Sequence, residues 1–357
     1  MTFLEFLILD TDFNAVETVD VFESFIWTDR YSAFGDFELC LAPTRDNLLY
    51  LREDYFVWIG ESDRLMVIEN VEITSDVEDG ARLLVSGRSL ESILASKIVW
   101  EQTMLAGGFQ DGVKKLLDEN VINPAVSDRR IPNFIFQPSS DPRITGLTLN
   151  TQFTGGTLYD AVKKLCDTNN LGFKVMLDES NRFVFSLYCG TDRSYNQSTE
   201  PYVIFSPDFD NLLNSNYISS KRDFKTVALV AGEGEGNARK KVVVSLPSGG
   251  GTGLQRRELY VDARDISSNN GEVPAAKYLE MLTQRGLDKL SESAVVKTFD
   301  GRVDTQQNPK YGRDFFMGDI VQITNEYGLE STSRVTELIR SHDVDGYEEY
   351  PTFTTIG

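Results

Sequence analysis

The sequence predicts a mainly β fold with an α+β insert: two related small β-barrel domains, plus an insert domain made of a helix and a hairpin. Three observations carry this expectation. Residues 319–354 read as a β-meander, a similar meander recurs at 54–87, and between them the apolar residues shift from period two to helical spacing. In the later meander Val321 and Ile323 alternate with Gln322 and Thr324, the period of a half-buried strand. Asn325, Gly328 and Ser331 supply turn chemistry, and Arg334–Ile339 is the second strand. It runs into Asp343-Val344-Asp345-Gly346, after which Tyr347–Thr354 returns as a third.

The earlier copy aligns Asp54–Ile59 with Asp319–Thr324 and Met66–Ile73 with Thr332–Ile339. Val77-Glu78-Asp79-Gly80 then falls on Val344-Asp345-Gly346, with Ala81–Gly87 as third strand. Ile73 to Gly80 spans the same number of steps as Ile339 to Gly346, and the hairpins before them differ by one residue. Identities are few, and unrelated meanders share some of this pattern. Two related β units in one chain would account for all of it.

The remaining elements follow in order. Leu4–Asp10 is an apolar opening strand, Glu23–Tyr31 a looser one carrying Phe25, Trp27 and Tyr31. Phe37, Leu39 and Leu41 share one face of a strand that Pro43 ends, and Asn47–Leu51 is about one helical turn. After the first meander Ser89 is placed to cap a short helix with Leu90, Ile93 and Leu94 inward. Asp111–Leu117 reads as a helix, and 123–142, rich in Pro, Asn, Asp and Ser, as a long loop. Thr157 caps a stronger helix whose Leu158, Ala161, Val162, Leu165 and Cys166 keep the 3,4 spacing. Asn169-Asn170-Leu171-Gly172 stops it, and Phe173–Leu177 pairs with Arg182–Tyr188 as a hairpin. Strands are expected at Ala228–Gly232, Val242–Leu246, Leu259–Val261 and Phe299–Val303. Between the last two, a helix starts near Pro274 with Tyr278, Leu279, Leu282, Gly286 and Leu290 buried. A glycine inside that helix costs about 1 kcal/mol relative to alanine, so close backbone contact is expected at Gly286. The expected domains are 1–100 (first barrel), 101–212 (insert) and 213–357 (second barrel, with a helix over 273–291).

Composition narrows the function. The chain of 357 residues is 41% hydrophobic and 25% charged, with a formal charge of −20. That balance disfavours phosphate-mediated nucleic-acid binding and suits a surface that DNA passes without sticking. No apolar run approaches the ~20 residues of a membrane span, and the N-terminus lacks the basic segment of a secretory signal. Cys40, Cys166 and Cys189 are isolated and expected as buried free thiols. The single histidine, His342, sits beside a turn and reads as an exposed or turn residue.

Possible sites are weak. Gly232-Glu233-Gly234-Glu235-Gly236 has the wrong spacing for a dinucleotide loop and presents two glutamates where phosphate would sit. Gly249-Gly250-Gly251-Thr252-Gly253 lacks the Lys-Ser/Thr of a phosphate loop, and 246–253 reads as a segment that a partner would order. No carboxylate pair stands out among 55 acidic residues. Phe109, Phe134 and Phe136 are candidates either for partner contact or for pinning a long loop. No catalytic, cofactor-binding or metal-binding residue is assigned, no cofactor is expected, and the chain is not expected to be an enzyme.

The order of barrel, insert and second barrel resembles the tail hub proteins of siphophages, which are similar in fold to the hub of contractile-tail baseplates. Tyr311-Gly312-Arg313-Asp314-Phe315-Phe316-Met317-Gly318-Asp319-Ile320-Val321 carries the resemblance, with Gly35-Asp36-Phe37-Glu38-Leu39 and Gly87-Arg88-Ser89-Leu90-Glu91-Ser92-Ile93-Leu94. The resemblance implies a homotrimer at the distal end of the tail tube, in which three chains present six similar units. It also implies contacts with the distal tail ring protein, the tape measure protein and other tail-tip or receptor-binding proteins. DNA would pass through the lumen without specific binding, with no stable membrane insertion, in a virion tail tip assembled in the host cytoplasm. Some relatives continue into a peptidase or lysozyme-like extension, which this sequence is not expected to carry. Two other functions stay open: a receptor- or cell-wall-glycan-binding module, and a tail-borne hydrolase.

Overall fold

The computed structural model describes residues 4–76, 80–213, 216–300, 303 and 308–356. The first unit runs β1 (Phe6–Leu9), β2 (Ala15–Val19), β3 (Ser24–Arg30), β4 (Asp36–Leu41), α1 (Arg45–Tyr50), β5 (Phe56–Ile59), β6 (Leu65–Asp76) and β7 (Gly80–Ser89). The alternation expected of β4 holds, with Phe37, Leu39 and Leu41 buried and Glu38 exposed. A 3-10 segment, Leu90–Ser96, follows where a short helix is expected. Ser89 does not cap it; its hydroxyl instead accepts from the Gly35 amide (2.7 Å) and bonds Glu91.

The middle of the chain holds β8 (Thr103–Gly108), α2 (Phe109–Leu117), β9 (Phe134–Gln137), α3 (Pro142–Thr145), β10 (Thr148–Phe153), α4 (Leu158–Thr168), β11 (Gly172–Leu177) and β12 (Phe183–Tyr188). As the sequence predicts, the Thr157 hydroxyl caps α4 by accepting from the Asp160 amide at 3.0 Å, and α4 packs near the β11–β12 hairpin. The stretch at 123–142 is not all loop. Phe134–Gln137 pairs parallel with β12, so an extra strand comes from a segment too short and too polar in its flanks to read as one.

The last part runs β13 (Ile204–Phe205), β14 (Asn216–Ser220), β15 (Val227–Ala231), β16 (Lys241–Ser245), β17 (Glu258–Asp262), α5 (Ala275–Glu292), β18 (Val296–Asp300), β19 (Ile320–Thr324), β20 (Glu330–Asp343) and β21 (Gly346–Thr355). The expected turn residues Val77–Asp79 and the glutamine-rich loop at 304–307 lie outside the described residues. Pro274 precedes α5 as its N-cap. Leu279, expected inside, is 42% exposed, and Met281 takes its place in the core. Gly286 does sit at a close approach: a Cβ there would lie 2.7 Å from Val244 and 2.8 Å from Val230, so α5 lies directly on the β15–β16 sheet.

Asp288, on the same helix, is buried and accepts from Gln284 Nε2 at 2.8 Å. Burial pushes its carboxyl above the ordinary range, against the opposing pull of Gln284 and Lys164. A raised folded pKa means the fold favours the protonated acid. The group's contribution is therefore complete below its unfolded value near 3.8 and is lost as pH rises through the folded value. Asp288→Asn keeps the acceptor and removes the charge. It is expected to stabilise the protein at pH 7 by on the order of 1 kcal/mol, and urea unfolding at pH 3.5 should show the gain gone.

Among the described residues no sheet closes into a barrel, which corrects the expectation of two barrels. The largest sheet instead joins both units in the order β13–β19–β20–β3–β4–β7–β6–β5–β1–β2, with β21 along the other edge of β20. The reason lies in β20. Its first half pairs β19, and its second half, Glu337–His342, pairs antiparallel with Phe25–Arg30 of β3. Hydrogen bonds that would close a unit on itself are spent between units.

The internal duplication is more regular than the sequence shows. β5, β6 and β7 repeat as β19, β20 and β21 with the same cross-strand partners. Phe56↔Val67 matches Ile320↔Arg334, and Ile68↔Gly87 matches Val335↔Phe353. Each long hairpin has one register shift, between Ile68 and Asn70 and between Val335 and Glu337, at corresponding positions. Each ends on a positive-φ glycine, Gly80 or Gly346, and each begins after a positive-φ residue, Asp54 or Gly318. The sequence alignment of the first two strands is one residue out. Six residues separate the paired Trp58 and Leu65, but nine separate Gln322 and Thr332, where the sequence reading allows a difference of one.

The correspondence extends outward. β4 pairs β7, and β18 lies alongside β21; β3 pairs β4, and β14 pairs β18. The order β3-β4-β5-β6-β7 is thus repeated as β14-β18-β19-β20-β21, with β15–β17 and α5 inserted between the first two. That insertion has its own core, in which Ala228, Val230, Val244, Tyr278 and Leu282 meet. The second unit's core gathers Phe205, Phe315, Val321, Val335 and Phe353.

Candidate functional site: the joint between the units

β3 and β20 bring two buried charges together: Asp29 continues the inward face of Phe25 and Trp27, and Arg340 lies inside beyond the register shift of β20. Arg340 is 2% exposed. It donates to Asp29 Oδ2 (2.7 Å), Glu349 Oε2 (3.0 Å) and the Glu61 carbonyl (2.7 Å). Asp29, also buried, accepts further bonds from Trp27 Nε1 (3.0 Å) and the Ser62 hydroxyl. Burial pulls the Arg340 guanidinium toward neutrality, but the adjacent Asp29 carboxylate more than restores its charge. The pair satisfies the rule that a buried charge keeps a partner and fills its remaining hydrogen-bond positions. At the rim, Arg30 bridges Asp36 and Glu337, each at 2.7 Å.

A second buried pair ties the insert to the first unit. Arg64 and Glu91 are both inside, in contact with each other. Glu91 also accepts from the Val175 amide (2.9 Å), and Arg64 reaches the Tyr188 hydroxyl (3.2 Å) and the Arg30 carbonyl (3.3 Å). Lys174 bonds Asp63 at 2.7 Å. Asp63, Arg64, Lys174 and Tyr188, with Tyr311, Phe316, Met317 and Arg340, border a cleft of about 350 Å³ where the first unit, the insert and the second unit meet.

Tyr31 is the pivot of this three-way contact. Its ring lies against Gly172 of the insert and Gly318 of the second unit, where a Cβ would fall 2.5 and 2.3 Å away. Its hydroxyl donates to the Asn170 carbonyl (3.0 Å), and the Arg334 guanidinium sits 5.1 Å from the ring centre. Burial pushes the phenol up to about 12, so it is a neutral donor at any ordinary pH. Beside it, the segment leaving β12 docks onto β19. The Thr191 amide and Arg193 Nε donate to Asp319 (2.6 and 2.8 Å), and Arg193 N bonds the Ile320 carbonyl (2.7 Å).

The features singled out in the sequence fall elsewhere. Phe109 and Phe134 are buried in the insert's core and Phe136 stacks on Phe185 at 5.9 Å, so all three pin the segment around 123–142. His342 is not a turn residue; it lies in β20 between Phe22 and Phe25, with its Nδ1 buried without a partner. Cys166 is buried, Cys40 and Cys189 half-buried, and all three are free thiols. Gly232–Gly236 links β15 to β16, and Gly249–Gly253 links β16 to β17, with Thr226 Oγ1 donating to the Gly250 carbonyl at 2.7 Å. Among the described residues no group of three or more His, Cys, Asp or Glu is placed to hold a metal, and no helix is long and apolar enough to cross a membrane.

The buried ion pairs thus form a charge-locked joint between duplicated β units. The fold itself is that of phage tail proteins. It is similar to a tail protein from Neisseria meningitidis MC58 (TM-score 0.59, 14% identity, covering 99% of this chain and 96% of that one). It is equally similar to the 43 kDa tail protein of prophage MuSo2 from Shewanella oneidensis (0.59, 13%, 98% and 98%). The prophage tail protein gp18 from Listeria monocytogenes EGD-e is also similar (0.54, 11%, 98% and 94%). No curated protein matches the chain in sequence. Over residues 5–353 it matches the Siphovirus ReqiPepy6 Gp37-like proteins, and the chain belongs to that family.

Proposed function

We propose that this protein is a structural hub of a siphophage virion: a trimer that closes the distal end of the tail tube. In this role it adapts a six-fold tube and distal tail ring to a three-fold tip and opens for DNA ejection. The observation that carries the proposal is the register-for-register repeat of β5–β7 in β19–β21. Three copies of a chain with two equivalent units present six similar surfaces, and closed rings need matching interfaces. The net charge of −20 suits a lumen that releases DNA, because like charge repels. Its partners would be the distal tail ring protein, the tape measure protein and further tip or receptor-binding proteins. Light scattering on the purified chain, alone and mixed with the distal tail ring protein, tests the proposal. A mass of three chains is the expected result; a chain that stays monomeric in both conditions would remove the symmetry argument.

A further inference from the structure

The subdomain inserted between β14 and β18 leaves one face of its sheet uncovered. α5 packs on the inner face against Val230 and Val244. It lies between that sheet and β10 of the insert, where Asn150 donates to Glu280 at 3.1 Å, so the outer face points away from the insert. On the outer face Leu229 pairs with Val243 on one side and Tyr260 on the other, a row of three apolar side chains across β16, β15 and β17. Leu229 is 37% exposed, Val243 60% and Tyr260 58%. A sheet packed on one side normally turns polar residues outward, and grouped exposed apolar residues rimmed by charge mark a docking surface.

Cations bound the row at both ends. At one end Arg239 donates to the Tyr260 hydroxyl (2.7 Å) and the Gly232 carbonyl (2.8 Å). At the other the glycine loop folds over the face: a Cβ at Gly250 would fall 2.6 Å from Val227 and 3.4 Å from the Arg256 guanidinium. The acids of β17 are already paired, Asp262 with Arg239 and Arg264, and Glu258 with Arg256. Exposed Lys240 and Lys241 at the first end, and Lys221 and Arg222 beside Arg257 at the second, form no side-chain ion pair among the described residues. Lys221 to Glu292 holds 12 basic against 10 acidic residues, in a chain that has 35 against 55. We propose that the outer face of β15–β17 docks an acidic segment of another protein. Its apolar side chains would cover Leu229, Val243 and Tyr260, and its carboxylates would meet the free cations at the ends. The charge selects an acidic occupant. The apolar row selects protein over nucleic acid, because phosphate binding draws on cations along the whole contact and here the middle of the face has none. This docking needs no trimer and so goes beyond the reading above.

Selection of a displayed library of random peptides on the full-length protein tests it. Two variants serve as counter-screens, Leu229→Ser/Tyr260→Ser and Lys240→Glu/Lys241→Glu. Both change exposed side chains, and unfolding midpoints equal to the wild type's show that they fold. Peptides enriched on the wild type are expected to carry carboxylates on either side of apolar residues. Their binding, followed by fluorescence anisotropy, should weaken about ten-fold or more in either variant and fall as salt is added. Enriched peptides that are not acidic, enriched peptides that bind both variants as tightly as the wild type, or no enrichment at all overturn the proposal. A double-stranded DNA oligonucleotide bound by the wild type but not by Lys240→Glu/Lys241→Glu overturns it in favour of nucleic acid. A mass by light scattering that falls from the wild type to Leu229→Ser/Tyr260→Ser overturns it in favour of a second copy.

Discussion

Arg340→Met is expected to lower stability by about 3–5 kcal/mol, because breaking a buried pair leaves its partner charged and uncompensated. Asp29 would keep its bonds from Trp27 and Ser62 but lose the cation that balances it. Glu349 is 23% exposed and can turn toward water, so most of the cost falls on Asp29. The double variant Arg340→Met/Asp29→Asn discriminates this cause from loss of packing. Removing the stranded charge should recover at least about 1 kcal/mol relative to the single variant, a coupling typical of residues in one network. Chemical unfolding of the wild type, both single variants and the double variant measures it. Strict additivity would mean that the pair contributes nothing specific to the joint. Because Asp29 lies on β3 and Arg340 on β20, the loss should be seen first as faster exchange along Glu337–His342, where the two units meet.

That joint shows where sequence reasoning reaches its limit. The meanders, the capped helix α4 and the hairpin after it follow from local rules of period, cap and turn. Arg340 does not. Along β20 the buried residues run Ser331, Ser333, Val335 and then Leu338 and Arg340. The register shift at Thr336 reverses which parity faces inward, so simple alternation would send Arg340 to solvent. A signal was present, since Leu338 breaks the odd-numbered series begun by Val335, but a single apolar residue out of phase does not reveal a bulge. The expectation of closed barrels fails for a related reason. Whether a strand edge closes on its own unit or joins another depends on contacts hundreds of residues apart, such as Arg30 with Glu337, and no local pattern encodes that choice. The duplication was visible as an alignment of strands, while its true register lay hidden in a hairpin loop three residues longer in the second copy. Buried free thiols were expected at all three cysteines. Cys40 instead sits on the outward face of β4 beside Glu23, as its place in that strand's alternation implies.

Gly190→Ala is expected to cost about 3 kcal/mol or more, at the upper end for overpacking, because the added methyl meets backbone rather than a movable side chain. A Cβ at Gly190 would lie 2.0 Å from the Gly318 carbonyl carbon and oxygen and 2.2 Å from the Asp319 amide nitrogen. Neither segment can easily yield. The Gly190 carbonyl accepts from Arg143 at 2.6 Å, the next residue bonds Asp319, and Gly318 N bonds the Val335 carbonyl at 2.9 Å. Gly318 also carries Tyr31 against its α-carbon at φ +90°. Relief of the clash therefore requires the strap from β12 to lift off β19, loosening the contact among insert, first unit and second unit together. Gly60→Ala is the matched control: a Cβ there meets nothing within 4 Å, and its effect should stay within about 0.5 kcal/mol. Thermal unfolding ranks the two variants, and limited proteolysis locates the damage. New cleavage in Thr191–Arg193 of Gly190→Ala, with the α4–β11–β12 body intact, is the expected pattern. If Gly190→Ala unfolds at the wild-type midpoint and resists cleavage there, the strap is not a rigid part of the joint. The insert would then rest on its remaining contacts: Gly172 against Tyr31 beside Arg334, Asn150 with Glu280, and Gln152 with the Asp265 carbonyl.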